Sequence, residues 1–360
     1  MSSDLVSAGS GPKSTTSLVS NETSDQAVSV TRRAVRASVI IPAFNCRGVL
    51  AICLDALSRQ TIPLSEFEII VVDDGSTDGT EEVAASYPGV RVIRQPNRGP
   101  AAARNCGVRH AEAPIVVFTD SDCEPTPGWL AAMLEPFDDA CVAGTKGAYR
   151  TRQRALIARF TQLEYEEKYD RMRRFRTIDV VDTYSAAFRR DVFWAAGGYD
   201  ERFPVPSAED VDLSFRLAAA GWQLVFVPEA VVFHRHPERL GNYLRRKYRY
   251  ARWRVLAVRK TPSRGLHDTH SPITNKVQIV LVGGMAAGAA LWGVSPYGKL
   301  AFAAAVVGFI ASTVSFLIKA GRRDWPLAVA SLGLLFLRAV FQGAGLLHGV
   351  IDSLLTRRRP

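Results

Sequence analysis

Two stretches near the C-terminal end of the sequence carry no charged side chain over a length that matches a lipid bilayer. They are residues 277–294 and 300–318, eighteen and nineteen residues long. An α-helix rises about 1.5 Å per residue, so about 20 apolar residues cross the hydrocarbon core of a membrane. We therefore predict two membrane-spanning helices, within a membrane region at residues 274–352.

A third apolar stretch, residues 326–350, is interrupted by Arg338 and by two other polar side chains. If the N-terminal part of the chain is cytosolic, two crossings return the basic loop 319–323 to the cytosol, as the positive-inside rule favours. A third crossing would export the arginines at 357–359, which the same rule disfavours. The third stretch is therefore an imperfect span or a re-entrant or interfacial helix. Arg338 is either a functional group inside the membrane or a side chain that snorkels or faces another helix.

The net charge of the chain, +10, is concentrated in one segment. Between Arg235 and Arg264, eleven basic residues stand against one acid, Glu238, which accounts for the whole excess. Apolar and aromatic side chains recur there at helical intervals, so residues 239–265 are predicted to form a basic amphipathic helix that faces anionic lipid headgroups. No helix-turn-helix, zinc-finger or RNA-binding signature accompanies this charge, so the expected partner is membrane lipid and not nucleic acid.

The rest of the chain divides into a tail and an α/β domain. Residues 1–36 are rich in Ser, Thr, Gly and Ala and are predicted to be a disordered tail. In the domain, residues 37–238, short apolar runs alternate with helical patterns, which is typical of a mostly parallel sheet flanked by helices. The predicted strands are residues 38–42, 67–72, 90–94, 115–119 and a fifth near 140–145, and the predicted helices between them are residues 47–59, 79–86, 100–111 and 128–137.

Polar side chains follow three of the predicted strands. The carboxyl ends of parallel strands meet at one edge of a sheet, which is where ligands bind in open α/β folds. Asp and Asn are also common turn residues, but three such sets at one edge favour a binding site. The residues are Pro42, Phe44 and Asn45 after the first strand, Asp73 and Asp74 after the second, and Asp120 and Asp122 after the fourth.

The pair Asp120 and Asp122 has the pattern Asp-x-Asp directly after a hydrophobic strand. Hard cations such as Mg²⁺ and Mn²⁺ prefer oxygen ligands, and one or two carboxylates share such an ion with phosphate groups. We therefore predict a divalent cation at this motif, bound together with a diphosphate. His234, which ends a later apolar strand, is a candidate third metal ligand, a phosphate contact or a structural histidine.

Two adjacent carboxylates, Glu209 and Asp210, begin a later predicted helix. They either complement the helix dipole or include a general base that takes the proton of an acceptor hydroxyl. The turn Gly197-Gly198-Tyr199-Asp200 and a proline-containing loop precede them, and this favours a shaped site with a base.

The strand-end residues, the Asp-x-Asp pair, the Gly197-Gly198 turn, the Glu209-Asp210 pair and His234 follow one another along residues 38–234. In this order they resemble the motifs of the family 2 glycosyltransferases. The resemblance implies the GT-A fold of nucleotide-diphospho-sugar transferases, a metal-dependent reaction and inversion at the anomeric carbon. It also implies the role of each matching residue. Asp74 would bind the base or ribose of the donor in a pocket with Pro42, Phe44 and Asn45, Arg104 would lie near the nucleotide or its phosphates, Asp120 and Glu209 would contact substrate, Asp122 and His234 would bind the metal, and Asp210 would be the base.

The resemblance and the membrane segments together predict a function. The chain is expected to transfer one sugar from a nucleotide-diphosphate sugar to a lipid-linked acceptor, in cell-envelope or exopolysaccharide synthesis. Single transfer is favoured because Arg249 stands where processive polysaccharide synthases have the Gln of Gln-x-x-Arg-Trp. The expected location is the bacterial inner membrane, with several crossings and a cytosolic catalytic domain.

Two other functions fit the sequence less well. A nucleotidyltransferase that makes sugar nucleotides would need a Gly-rich loop with a phosphate-binding Arg or Lys near the start of the domain, and the sequence lacks one. A catalytically inactive membrane scaffold or partner-binding protein is expected to lose its acidic residues, whereas Asp74, Asp122 and Asp210 are all present. The sequence specifies neither the sugar and nucleotide nor the acceptor and linkage.

Overall fold

An eight-stranded mixed sheet forms the centre of the N-terminal domain in this computed structural model, which describes residues 35–203, 208–260 and 268–356. The predicted tail at residues 1–36 lies almost wholly outside the described residues. The strand order is β3-β2-β1-β4-β7-β6-β8-β5. The strands are β1 Ala37–Ala43, β2 Phe67–Asp73, β3 Val90–Arg94, β4 Ile115–Thr119, β5 Cys123–Pro125, β6 Val142–Arg150, β7 Ser185–Arg189 and β8 Gln223–His234.

Helices cover the sheet and then continue into a C-terminal helical region. Short 3₁₀ segments at Leu64–Glu66 and Glu135–Asp138 complete the described secondary structure. The helices are α1 Arg47–Ser58, α2 Thr80–Ala85, α3 Pro100–His110, α4 Trp129–Leu134, α5 Leu156–Met172, α6 Arg190–Ala195, α7 Glu209–Ala219, α8 Leu240–Lys260, α9 Ile273–Ala290, α10 Pro296–Gly321 and α11 Trp325–Thr356.

The α/β class and all five predicted strands are confirmed, and the first four strands agree within one residue at each end. β6 is longer than predicted because Gly and Lys weaken the strand signal of its sequence, VAGTKGAYR. Gly147 is needed there, since a side chain would collide with Ser185 of β7 and with the backbone of Ala230 in β8. β5 has only three residues, which is too short for a periodic pattern.

Strand register brings the ends of distant strands to one edge of the sheet. β1 is parallel to β2 and β4, and Ala43 lies opposite Asp73. β7 is antiparallel to β4 and β5 is antiparallel to β8, so Thr119 lies opposite Ser185 and Cys123 lies opposite His234. The carboxyl ends of β1, β2, β4 and β8 therefore meet the amino ends of β5 and β7. Residues that follow or precede these strands share one site.

Within the described residues, three helices are long and apolar enough to cross a membrane: α9, α10 and most of α11. The predicted spans at residues 277–294 and 300–318 correspond to α9 and α10, although α9 begins and ends about four residues earlier. The third apolar stretch forms one long helix, α11. A larger share of its residues is buried within the protein than in α9 or α10, because α11 packs along the basic helix α8.

The backbones of α8 and α11 approach closely at Gly345 and Gly349, where a side chain would meet the carbonyl groups of Tyr248 and Arg252. Small residues four apart let two helices pack at short distance. Near the end of α11, Asp352 accepts a hydrogen bond of 2.7 Å from Arg252. The basic helix is therefore covered on one side by α11 and does not lie alone in the membrane interface.

Arg338 of α11 is buried and faces other helices, which is one of the two interpretations that its sequence position allowed. Its guanidinium lies 2.8 Å from Glu164 Oε1 of α5 and also donates to Gln278 of α9. Lys247 of α8 lies 2.9 Å from the other oxygen of Glu164. Burial alone would raise the pKa of Glu164, but these two cations lower it to about 2. One carboxylate thus ties the catalytic domain to α8 and α11.

Candidate active site

A cavity of about 480 Å³ opens at the sheet edge where the strand ends meet. This volume suits a small-molecule substrate. Nine of the ten side chains to which the family resemblance gave a role line it: Pro42, Phe44, Asp74, Arg104, Asp120, Asp122, Glu209, Asp210 and His234.

The tenth selected residue, Asn45, does not line the cavity and stabilises a turn beside it. Its side-chain oxygen accepts a hydrogen bond of 2.9 Å from the backbone N–H of Thr77, and its own N–H donates to Ser76 Oγ. Its φ of 48° is in the left-handed region, which Asn tolerates better than most residues. Asn45 thus joins the loop after β1 to the loop after β2. Phe44 beside it is half exposed at the cavity rim.

Asp74 lines the cavity, and its carboxylate also orders the loop before α3. Its Oδ1 accepts hydrogen bonds from the Gln95 side chain at 2.7 Å and the Arg98 N–H at 2.9 Å, and its Oδ2 accepts one from the Gly99 N–H at 2.8 Å. A carboxylate has about four acceptor positions, so one remains for a ligand. The same loop presents the start of α3 to the cavity, and helix N-termini attract anions such as phosphate.

Arg104 of α3 joins two of the cavity carboxylates. It is buried, and its terminal nitrogens lie 2.8 Å from Asp120 Oδ1 and 3.3 Å from Glu209 Oε1. Asp120 follows β4 and Glu209 begins α7, so this one side chain fixes two elements relative to each other. Since Asp120 is paired with Arg104, Asp122 is the member of the Asp-x-Asp pair with the freer carboxylate.

Asp122, His234 and Cys123 place one potential metal ligand atom each within 4.8 Å of one another. Asp122 Oδ1 lies 3.3 Å from His234 Nδ1. Burial raises the pKa of Asp122, but the hydrogen bond and charge of His234 outweigh it, so the pKa falls and the carboxylate is ionised. Burial, Asp120 and Asp122 raise the pKa of the Cys123 thiol well above its usual value, so it stays protonated and is a poor ligand. A carboxylate oxygen and an imidazole nitrogen together fit a divalent cation such as Mn²⁺.

Asp210 is buried in the first turn of α7 and has a perturbed pKa. Burial raises the pKa well above the usual value, and the negative charges of Glu209 and Asp182 raise it further, while Arg104 opposes them. Its Oδ1 accepts a hydrogen bond of 2.8 Å from the Val211 N–H. A carboxylate with increased proton affinity that faces a cavity is suited to general-base catalysis.

Sequence reasoning missed six aromatic or charged residues that line the cavity: Tyr149, Tyr165, Asp182, Tyr184, Arg246 and Tyr250. The ring of Tyr149 stacks between the rings of Tyr184 and His234. The centroids of the Tyr149 and His234 rings are 4.5 Å apart, so Tyr149 fixes the His234 imidazole. Asp182 could have been found, because it follows the apolar pair Val180-Val181 and lies shortly before β7. Arg246 and Tyr250 belong to α8, whose predicted role was membrane contact alone.

This fold and this cavity define the chain as a glycosyltransferase with the GT-A fold. The same architecture occurs in the mannosyltransferase PcManGT from Pyrobaculum calidifontis, whose structure was solved in complex with GDP-Man and Mn²⁺. The similarity has a TM-score of 0.57 and covers 90% of this chain and 88% of that one, at 23% sequence identity.

Sequence comparison gives the family. Residues 38–197 match the model for glycosyl transferase family 2, and this part of the chain is a family 2 glycosyltransferase domain. Glycosyltransferase AglE of Haloferax volcanii is 29% identical over 230 residues, which are 61% of this chain and 72% of AglE. The pre-mycofactocin glycosyltransferase of Mycobacterium tuberculosis is 31% identical over 222 residues, which are 59% of this chain but only 45% of that protein. The predicted family and fold are thus confirmed.

Proposed function

We propose that this enzyme transfers a single sugar, with inversion, from a nucleotide-diphosphate sugar to a hydroxyl of a lipid-linked acceptor. The reaction would take place at the cytosolic face of the plasma membrane, in cell-envelope or exopolysaccharide synthesis. One observation carries the proposal: Asp74, Asp122, His234 and Asp210, from separate parts of the chain, line a single cavity.

The donor would lie across the edge of β1 and β2. Pro42, Phe44 and the remaining acceptor position of Asp74 are available for the base and ribose, and the start of α3 faces the diphosphate. The similar mannosyltransferase PcManGT, which was solved with GDP-Man and Mn²⁺, supports a nucleotide-sugar donor.

Asp122 and His234 would hold a divalent cation, Mn²⁺ or Mg²⁺, and Asp120 stays with Arg104. When bound, such a cation neutralises the negative charge that develops on the departing nucleoside diphosphate. Stacking on Tyr149 holds the His234 ring, so this chain supplies a preformed pair of ligands.

Asp210 would be the general base. The acceptor oxygen attacks the anomeric carbon from the side opposite the leaving group, and its proton passes to the Asp210 carboxylate. The bond from the anomeric carbon to the diphosphate oxygen breaks, and the nucleoside diphosphate departs with the electron pair. Attack opposite the leaving group inverts the anomeric configuration. Arg104 keeps Glu209, the neighbour of Asp210, in place.

We also propose that α9 and α10 cross the membrane and that α11 lies in the interface. Contacts with the catalytic domain occur at both ends of α11. Asp324, just before its start, pairs with Arg159 of α5, and Asp352 near its end pairs with Arg252 of α8. Since α8 also supplies Tyr250 to the cavity, both ends of α11 belong on the side of the catalytic domain. This arrangement keeps the arginines at 357–359 in the cytosol, as the positive-inside rule favours.

A panel of UDP-, GDP- and dTDP-sugars, tested with the purified full chain and Mn²⁺, checks the proposed activity. We expect transfer or slow hydrolysis of at least one donor, and its loss in Asp122→Ala and Asp210→Asn. Asp138→Ala, an exposed acid remote from the cavity, is the matched control and should retain activity. Near-normal turnover in both site variants would overturn the assigned roles.

A further inference from the structure

A second cavity, of about 710 Å³, lies where the catalytic domain meets the membrane helices. Its walls come from α5, α8, α9 and α11. It shares four side chains with the catalytic cavity, Tyr165, Asp182, Arg246 and Tyr250, so the two cavities have a common wall. A molecule bound in the second cavity therefore lies next to the space that Asp210 faces.

One part of this second cavity is strongly basic. Among the described residues that line it, Asp182 is the single acid. Six cationic side chains line it: Lys168, Arg246, Lys247, Arg254, Arg259 and Lys276.

Nearby acids neutralise these cations only in part. Asp268 pairs with both Arg254, at 2.8 Å, and Lys276, at 3.0 Å. Across the described ranges of the chain, no carboxylate lies within 4.0 Å of Lys168 or Arg246. Lys168 Nζ lies 3.3 Å from the His270 ring, whose pKa burial lowers to about 4 and which is therefore neutral. Burial lowers the pKa of Lys168 to about 8, and the neighbours of Arg246 are tyrosines and not carboxylates, so an anion bound here would stabilise both cations.

The other part of the cavity is apolar and faces the bilayer. Leu346, Val350 and Leu354 recur every fourth residue and form a stripe along α11, opposite Ile279 and Val280 of α9. Val350, Leu354 and Val280 are exposed, so an aliphatic chain can reach this stripe from the membrane. The cavity thus combines an anion-binding end with a lipid-facing end.

Building on the proposed function, we propose that the second cavity is the acceptor site and that the acceptor is a long-chain lipid joined to its sugar through phosphate. The phosphate would bind between Lys168, Arg246 and Arg254, and the aliphatic chain would lie along the Leu346 stripe. The sugar would pass Tyr250 and Asp182 to bring its hydroxyl to Asp210. An uncharged lipid would leave the cations unpaired, and a free sugar phosphate would leave the apolar stripe uncovered.

Binding of fluorescent geranylgeranyl phosphate to the full chain in phosphatidylcholine nanodiscs tests this proposal. Lys168→Met and Leu346→Gln should each weaken binding about tenfold. Lys168→Met removes a cation that contacts the phosphate, and Leu346→Gln places a polar group in the apolar stripe. Arg245→Gln, an exposed neighbour on α8, and Leu347→Gln, on the outer face of α11, are matched controls and should bind the probe as the wild type does. Competition with unlabelled geranylgeranyl phosphate, geranylgeraniol, phosphatidylglycerol and inorganic phosphate identifies the source of the phosphate.

Only unlabelled geranylgeranyl phosphate should displace the probe efficiently. Equal competition by phosphatidylglycerol would overturn the proposal in favour of a structural membrane lipid, and wild-type binding in both cavity variants would overturn it outright. Donor hydrolysis, measured on the same samples, should persist in the controls Arg245→Gln and Leu347→Gln. If the wild type hydrolyses no donor sugar but binds the probe through these residues, the proposed activity fails while the lipid site stands.

Discussion

The carboxylate of Asp122 lies 3.3 Å from the Nδ1 atom of His234, although the two residues are far apart in the sequence. The short strand β5 causes this contact, because Cys123 pairs with His234 across the β5–β8 ladder and Asp122 comes directly before it. The Asp-x-Asp loop and the late histidine are thus brought together by the backbone register of the sheet.

Removing the imidazole should weaken metal binding without unfolding the protein. We expect His234→Ala to raise the Mn²⁺ concentration for half-maximal donor hydrolysis by about tenfold or more, as loss of a group that supports a metal site does. The measurement is a Mn²⁺ titration of activity, together with direct Mn²⁺ binding by electron paramagnetic resonance. His110→Ala, a change in α3 that is remote from the cavity, should leave both curves unchanged. An unshifted curve for His234→Ala would exclude His234 as a ligand.

The catalytic rate should begin to fall at a higher pH than it would if Asp210 had the pKa of an ordinary aspartate. A general base must be ionised, and burial with Glu209 and Asp182 raises the Asp210 pKa, so activity is lost as pH falls through this raised value. The acid limb of kcat/KM is therefore expected well above the usual Asp pKa of about 4. Asp182→Asn should move that limb to lower pH, because it removes one of the negative charges. A limb that does not move would contradict this electrostatic coupling.

Replacing Arg104 should lower the stability of the protein. The change Arg104→Met leaves Glu209 buried without this partner, and loss of one member of a buried ion pair costs about 3–5 kcal/mol. The exposed pair Arg98–Glu201 provides the matched comparison, and Arg98→Met should cost only about 0–1 kcal/mol. Thermal unfolding in detergent measures the stability of both variants. Equal destabilisation by the two changes would show that the buried Arg104 pairs contribute no more stability than an exposed ion pair.

The Glu164–Arg338 pair should contribute a buried electrostatic connection between α5 and α11. Arg338→Met is expected to destabilise the protein by up to about 3–5 kcal/mol, because Glu164 then keeps only Lys247 as a cationic partner, and the double change with Glu164→Gln should cost less than the sum of the two single changes. Because the pKa of Glu164 is lowered to about 2, its contribution is present above about pH 4.3 and is lost as pH falls toward 2. Thermal unfolding of both single variants and the double variant measures the coupling. If the loss of stability in the double variant equals the sum of the losses in the two single variants, Glu164 and Arg338 are not coupled.

Labelling from outside the cell tests the interfacial position of α11. In a version of the chain without its natural cysteines, Val294→Cys in the α9–α10 turn should react with an impermeant maleimide in intact cells. Arg322→Cys before α11 and Leu355→Cys at its end should react only after permeabilisation, because the proposed arrangement puts both ends on the cytosolic side. Labelling of Leu355→Cys in intact cells would instead establish a third crossing.

The elements that sequence reasoning predicted well are those whose signal is local. β1, β2 and β4 are continuous apolar runs that end in polar residues, and that pattern alone gave their bounds and the cavity edge. The membrane helices carry an equally local signal, which is the absence of charge over a span of fixed length. The matching family motifs added the expected partners of these strand ends, and the structure places nine of the ten residues with an expected role in one cavity.

The elements that sequence reasoning missed depend on long-range packing. The helical pattern around Arg246 and Tyr250 does not indicate that α8 reaches the catalytic cavity, because a basic amphipathic helix has the same local pattern whether it contacts lipid or protein. The partial match to Gln-x-x-Arg-Trp at Arg249 was used only to infer single transfer. Asn45 was misplaced for the opposite reason. Its position next to Phe44 indicated a pocket residue, but its left-handed backbone turns the side chain toward Thr77.

We propose that two acids in one cavity have separate roles. Asp122 binds the cation that holds the diphosphate, and Asp210 takes the proton of the acceptor. Calorimetric binding of the donor's nucleoside diphosphate with Mn²⁺, measured beside turnover on the same samples, tests this most directly. Asp122→Ala should lose both Mn²⁺-dependent binding and turnover, whereas Asp210→Asn should bind normally and turn over about 10²–10⁴-fold more slowly. Normal Mn²⁺-dependent binding by Asp122→Ala, or near-normal turnover by Asp210→Asn, would contradict the account.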